Sequence, residues 1–63
     1  MKIIITENWL TFHDPVPAAG QEYAAQHDLT IAEYNGKYRV KGKPAALYGL
    51  LLALAKDNDI DLI

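Results

Sequence analysis

Hydrophobic and polar positions change their period several times along the chain, and each change marks an element. Met1 to Phe12 is dense in β-branched and aromatic residues, first Ile3, Ile4, Ile5 and Thr6, then Trp9, Leu10, Thr11 and Phe12, which is strand composition. Glu7-Asn8 between the two runs marks either the two-residue tip of a hairpin or a bend in one long strand. His13-Asp14-Pro15-Val16-Pro17 ends the strand, because each proline removes a backbone donor and turns the residue before it away from the helical region. A short helix over Ala18 to His27 should follow, with Asp14 as its N-cap and Val16, Ala19 and Tyr23 toward the core.

Leu29 to Val40 carries the sharpest local pattern. Asn35-Gly36 stands between two alternating runs, and both residues accept the positive φ of a type I′ turn. Pairing outward sets Tyr34 opposite Lys37, Glu33 opposite Tyr38, Ala32 opposite Arg39 and Ile31 opposite Val40. One face then holds Leu29, Ile31, Tyr38 and Val40, with Glu33 at its outer end, and faces the core. The other holds Thr30, Ala32, Tyr34, Lys37, Arg39 and Lys41 and faces water. Gly42-Lys43-Pro44 breaks the strand, and Pro44 suits the first position of a helix running to about Lys56. Leu47, Leu50, Leu51 and Leu54 form its core stripe, with Leu51 and Leu54 central. Tyr48, Leu52 and Ala55 widen that stripe, so the helix should be covered on more than one side. Ala45, Gly49 and Ala53, four apart, make a groove of small side chains for another helix, either the Gly20/Ala24 side of the first or a second copy of the chain. Asp59 to Ile63 alternates like a short strand. The pattern predicts an α+β fold: a small antiparallel sheet with a short first helix and a C-terminal leucine-rich helix packed on it.

Composition sharpens this picture mainly by exclusion. The chain has 63 residues, 51% of them hydrophobic, with a formal net charge of -2; this is enough for one domain, 1–63, and too apolar for intrinsic disorder. It contains neither cysteine nor serine, so Ser-His-Asp and Cys-His nucleophilic sites cannot be built, and the expectation is a protein that is not an enzyme. The apolar run after Lys2 is too short for a signal peptide, and the stretch from Pro44 to Ala55 is too short to span a bilayer. The expected location is the cytoplasm.

Three patterns imitate ligand sites. Asp57, Asp59 and Asp61 resemble the start of a calcium loop, but Leu62 stands where the turn needs glycine and no glutamate follows at the twelfth position. Gly36 to Lys43 resembles a phosphate loop, but five residues separate its glycines and Pro44 replaces the magnesium-binding hydroxyl. His13-Asp14 and His27-Asp28 put carboxylates beside the two histidines, but adjacent side chains diverge on a strand or a helix. No metal, cofactor or catalytic residue is expected from any of these.

Charge is distributed unevenly. Lys37, Arg39, Lys41 and Lys43 hold four of the six positive charges; up to Gly36 there is one lysine against five carboxylates, and from Lys56 onward one lysine against Asp57, Asp59 and Asp61. Tyr34 with Lys37, Arg39, Lys41 and Lys43 therefore forms a basic ridge suited to nucleic-acid phosphates or to an acidic protein surface. Asp59 and Asp61 offer a second, acidic contact surface, or simply guard a sheet edge. Long basic side chains equally serve to solvate an open hairpin face.

Taken whole, a cysteine-free domain that opens Met1-Lys2-Ile3-Ile4-Ile5, is acidic overall and ends on a structured Ile63 resembles the very small accessory proteins of phages and mobile elements, of the anti-CRISPR inhibitor type. The resemblance is one of type, without a shared motif, so no residue role carries over. It implies stoichiometric docking on a host defence complex. The expected function is thus a non-enzymatic protein-binding module, a monomer or homodimer, whose partner is a host protein or nucleoprotein complex. The alternative is a small nucleic-acid-binding regulator using the same basic ridge.

Overall fold

Two hairpins, each followed by a helix, account for most of the chain, and a computed structural model describes residues 1–6 and 8–63. The elements are β1 (Lys2–Thr6), β2 (Trp9–Phe12), α1 (Ala18–Gln26), β3 (Thr30–Tyr34), β4 (Lys37–Lys41), α2 (Pro44–Ala55) and β5 (Asp61–Leu62). They make an α+β fold with one five-stranded sheet in the order β3-β4-β2-β1-β5. Antiparallel pairing of β1 with β2 brings Thr6 opposite Trp9, so the two strands form a hairpin and not one bent strand. Of its expected tip, Glu7 lies outside the described residues.

The β3–β4 hairpin has the register that the turn chemistry dictates, from Tyr34 opposite Lys37 to Thr30 opposite Lys41. Asn35 and Gly36 both take positive φ, 50° and 77°, which matches the twist of the flanking strands. The two hairpins then join through β2 and β4, with Leu10 opposite Val40 and Phe12 opposite Tyr38. β5 departs from the antiparallel expectation, since it runs parallel to β1 and sets Asp61 beside Lys2. The reason is topological: α2 carries the chain back over the sheet, so β5 enters the edge in the direction of β4 and β1.

Ile3, Leu10, Phe12 and Val40 from the sheet and Val16, Ala24, Leu29, Leu47, Leu50 and Leu54 from the helices and connections form one buried cluster. Both helices therefore lie on the same side of the sheet, α1 against α2 and β3, and α2 also against β2. The last turn of α1 closes with Asp28 in the left-handed region, φ 57°, and with a Leu29 N–H donating to the Ala24 carbonyl at 3.0 Å. That is the Schellman arrangement, with Asp28 in the place usually taken by glycine. Leu29 is thereby delivered to the core.

Several expectations need correction. Asp14 does not cap α1: Pro17 occupies the N-cap and no side chain bonds there, because Asp14 sits three residues too early to reach the first turn. Instead Gln21 folds back, its Nε2 donating to the Val16 carbonyl at 2.9 Å. Ala19 is exposed; the buried side of α1 is Gly20 and Ala24, because the smallest residues allow the closest approach to α2. A Cβ at Gly20 would lie 3.2 Å from Leu54 and 3.4 Å from Leu50. Leu51 is half-buried, whereas Leu47, Leu50 and Leu54 are buried. The helix is also not covered all round: Tyr48 and Leu52 are 64% and 53% exposed, since the sheet and α1 together enclose little more than half of it. Of the expected groove of small residues only Gly49 is seen to receive α1, and through Tyr23, whose hydroxyl a Cβ there would meet; Ala45 is exposed, and Gly20 faces Leu50 and Leu54 instead.

A domain of this size has roughly 3–9 kcal/mol of stability in total. Leu54→Ala, at 1% exposure, is expected to remove about 2–5 kcal/mol; Leu51→Ala should remove about 1 kcal/mol. Denaturant titration of the two variants orders them, and an equal loss would misplace the core face of α2. Gly49→Leu is expected to destabilise by about 1–3 kcal/mol despite the better helix propensity of leucine, because Tyr23 must leave its seat. An unchanged or raised melting temperature would show that the α1–α2 contact is not the one described.

Candidate binding interface

Strand alternation fixes what the helix-free side of the sheet displays. Residues whose neighbours in register point to the core point there themselves, so the opposite face holds Thr30, Ala32 and Tyr34 from β3 and Lys37, Arg39 and Lys41 from β4. It continues with Trp9 and Thr11 from β2, Ile4 and Thr6 from β1, and Lys2 beside Asp61 at the far edge. Four of the chain's six basic side chains thus share one face of a protein whose net charge is -2. Along β4, Lys37, Arg39 and Lys41 stand about 6.6 Å apart, twice the rise per strand residue.

Arg39 is the centre of this face. It lies opposite Ala32 on β3 and Thr11 on β2, and small neighbours on both sides let the guanidinium settle onto the aromatic rings one residue pair away. Its Cζ is 5.0 Å from the Trp9 ring centroid and 5.6 Å from that of Tyr34. The Lys41 ammonium also lies over Trp9, at 5.3 Å. These are cation–π distances. Trp9, Thr11, Ile4 and Arg39 are half-buried by one another although no helix covers them. Among the described residues the buried Arg39 Nε has no hydrogen-bond partner, and a desolvated donor of that kind costs free energy.

The residues of the expected ridge divide. Tyr34, Lys37, Arg39 and Lys41 come together on the bare face. Lys43 does not: it is the N-cap of α2, beyond the end of β4, where Gly42 turns the chain toward the helix layer. Asp59 and Asp61 do not form a separate acidic surface. Asp61 belongs to the edge of the same face, next to Lys2, and Asp59 precedes the strand, its carbonyl accepting a 2.7 Å bond from the Met1 amino group. Trp9 is the residue that reading the sequence by local pattern misses. Its place beside Arg39 depends on β2 pairing with β4, which no local signal encodes.

The other ionisable candidates stay apart. His13 is exposed just past β2, and His27 C-caps α1 with its ring stacked on Tyr23 at a centroid separation of 4.0 Å. Among the described residues no three His, Asp or Glu side chains are grouped to hold a metal ion. No helix among them is long and apolar enough to cross a membrane. Neither family models, nor curated proteins, nor solved structures match this chain.

If the Trp9–Arg39 contact is energetic and not incidental, a double-mutant cycle with Trp9→Leu and Arg39→Met should give a coupling of about 0.5–1 kcal/mol in denaturant unfolding. Arg39→Met alone should also alter the emission of the chain's one tryptophan. A coupling near zero with unchanged emission would dissolve the stack.

Proposed function

We propose that the protein is a non-enzymatic docking module whose bare sheet face engages an acidic surface of a partner protein or nucleoprotein complex, as a stoichiometric inhibitor of the anti-CRISPR type would. The supporting observation is the Trp9–Arg39–Tyr34 stack in the middle of that face. Trp, Tyr and Arg are the side chains that dominate interface energetics, and here the packing of each on the next lowers the entropy to be lost on binding. Lys37 and Lys41 beside the stack, with Lys2 farther along the same face, supply the charge that steers an acidic partner and fixes its register. A carboxylate meeting the Arg39 guanidinium would accept charge-assisted hydrogen bonds from its terminal Nη groups.

A second reading, a small regulator that binds single-stranded nucleic acid, draws on the same aromatics among basic residues. It is the weaker of the two because the ring faces are occupied: Arg39 and Lys41 lie over Trp9, and Arg39 over Tyr34. A base would have to displace those cations before it could stack, whereas an anionic protein side chain need only approach them.

The two readings separate by salt and nuclease. Docking on a protein predicts that the tagged chain recovers a stoichiometric partner from its native host, that the complex survives nuclease, and that Lys37→Glu with Arg39→Glu abolishes recovery. Nucleic-acid binding predicts affinity for single strands that falls with salt at a log-log slope of about -0.7 per phosphate contacted. Tight single-strand binding at physiological salt, with no nuclease-resistant partner, would overturn the docking reading.

A further inference from the structure

The two edges of the sheet are built differently. At one end β5 is two residues long, contains Asp61 and follows Asp59, and shortness and charge are two of the devices by which proteins protect an edge from strand addition. At the other end β3 runs five residues, Thr30–Tyr34, in unbroken register with β4, with no proline, lysine or bulge; its one charge, Glu33 on the helix side, disfavours strand addition unless the incoming strand neutralises it. In a two-residue hairpin the pairs flanking the turn exchange both backbone hydrogen bonds, and alternate pairs do so after them. Tyr34, Ala32 and Thr30 therefore spend their backbone groups on β4, while the N–H and C=O groups of Ile31 and Glu33 point away from the sheet.

The same two residues turn their side chains toward the helix layer, and there the packing is incomplete. A groove of about 460 Å³ opens between α1 and the β3–β4 hairpin, lined by Val16, Ala24, Leu29, Ile31, Tyr38 and Glu33, among others. Val16, Ala24 and Leu29 make its floor as part of the core, and Ile31 and Tyr38 are left half-buried on its wall. Glu33, exposed on the same wall, is the one carboxylate lining it among the described residues.

From this juxtaposition we propose that β3 is a docking edge for an extended peptide segment of a partner protein, which would add as a sixth strand beside Ile31 and Glu33. Such a strand would bond the free backbone groups and place alternate side chains into the groove, the usual division of labour in strand addition. The chemistry of the wall selects the occupant: an apolar side chain next to Ile31 and a lysine or arginine next to Glu33. A second copy of β3 fits poorly, because antiparallel self-pairing sets Glu33 against another Glu33, against Ile31 or against Leu29, leaving carboxylates opposed or unpaired over apolar surface. This edge is separate from the bare sheet face and does not depend on the function proposed for that face.

The test uses two blocked seven-residue peptides of alternating threonine and valine, one carrying a single central lysine and the other a glutamate in its place, titrated into the ¹³C,¹⁵N-labelled protein and followed by NMR. The proposal expects saturable shifts at the amides of Ile31 and Glu33 and the methyls of Val16 and Leu29, slowed exchange of those two amides, and binding of the lysine peptide about tenfold tighter than the glutamate peptide. Glu33→Gln, at an exposed position, should erase that preference while leaving the fold intact. Lys37→Glu with Arg39→Glu should leave peptide binding unchanged, so failure of the bare-face reading and failure of this one are distinguishable. No saturable shift up to about 1 mM, equal affinities for the two peptides, or shifts centred on Trp9 and Arg39 would each overturn the proposal.

Discussion

A strand, a helix and a parallel strand of the same sheet connect with one hand, and this chain meets that constraint twice. β2–α1–β3 and β4–α2–β5 both join parallel strands, yet β2 and β4 point in opposite directions and the two crossovers step toward opposite edges of the sheet. With one hand for both, reversing the strand direction and the direction of travel together brings the two helices to the same side. The single core on that side, and the bare face on the other, follow from the connectivity before any particular side chain is considered.

The bare face then has to manage its own surface. The described residues make two layers, a sheet and one layer of helices, and no element among them covers the outward half of the sheet. Its central strands answer with side chains that cover each other: Arg39 over Trp9 and Tyr34, Lys41 over Trp9, with Thr11 and Ile4 alongside. The arrangement shields aromatic surface from water while keeping cations outward. It also concentrates positive charge on one side of an acidic protein, and most of the carboxylates are left to the helices, the loops and the far edge.

How much of this was legible in the sequence depended on the range of the interaction that decided it. Asn35-Gly36 specified its hairpin to the residue, because a two-residue turn fixes register and register fixes which face each side chain takes. Pro44 likewise marked the start of α2. Asp14 and Ala19 misled because proline geometry and the close contact at Gly20 outweighed ordinary capping and spacing preferences. Leu51 misled because the apolar stripe of α2 is wider than the surface available to cover it. For the candidate face, Tyr34, Lys37, Arg39 and Lys41 could be gathered from one hairpin, but Trp9 could not. Its membership rests on a seam between segments thirty residues apart, Leu10 and Val40.

That seam also bears on the order in which the fold assembles. Each hairpin closes a short loop and forms on the microsecond scale by itself, but an isolated hairpin is marginal in water. The β2–β4 junction is where the two become one sheet, and closing it means immobilising the whole intervening chain, α1 included, before Phe12 and Val40 gain their burial. The strands that sit at the middle of the finished sheet thus pair only once the chain between them has been gathered, in the same four residue pairs that bring Trp9 to Arg39, and only the short β1–β5 pairing of Lys2 with Asp61 spans more of the sequence.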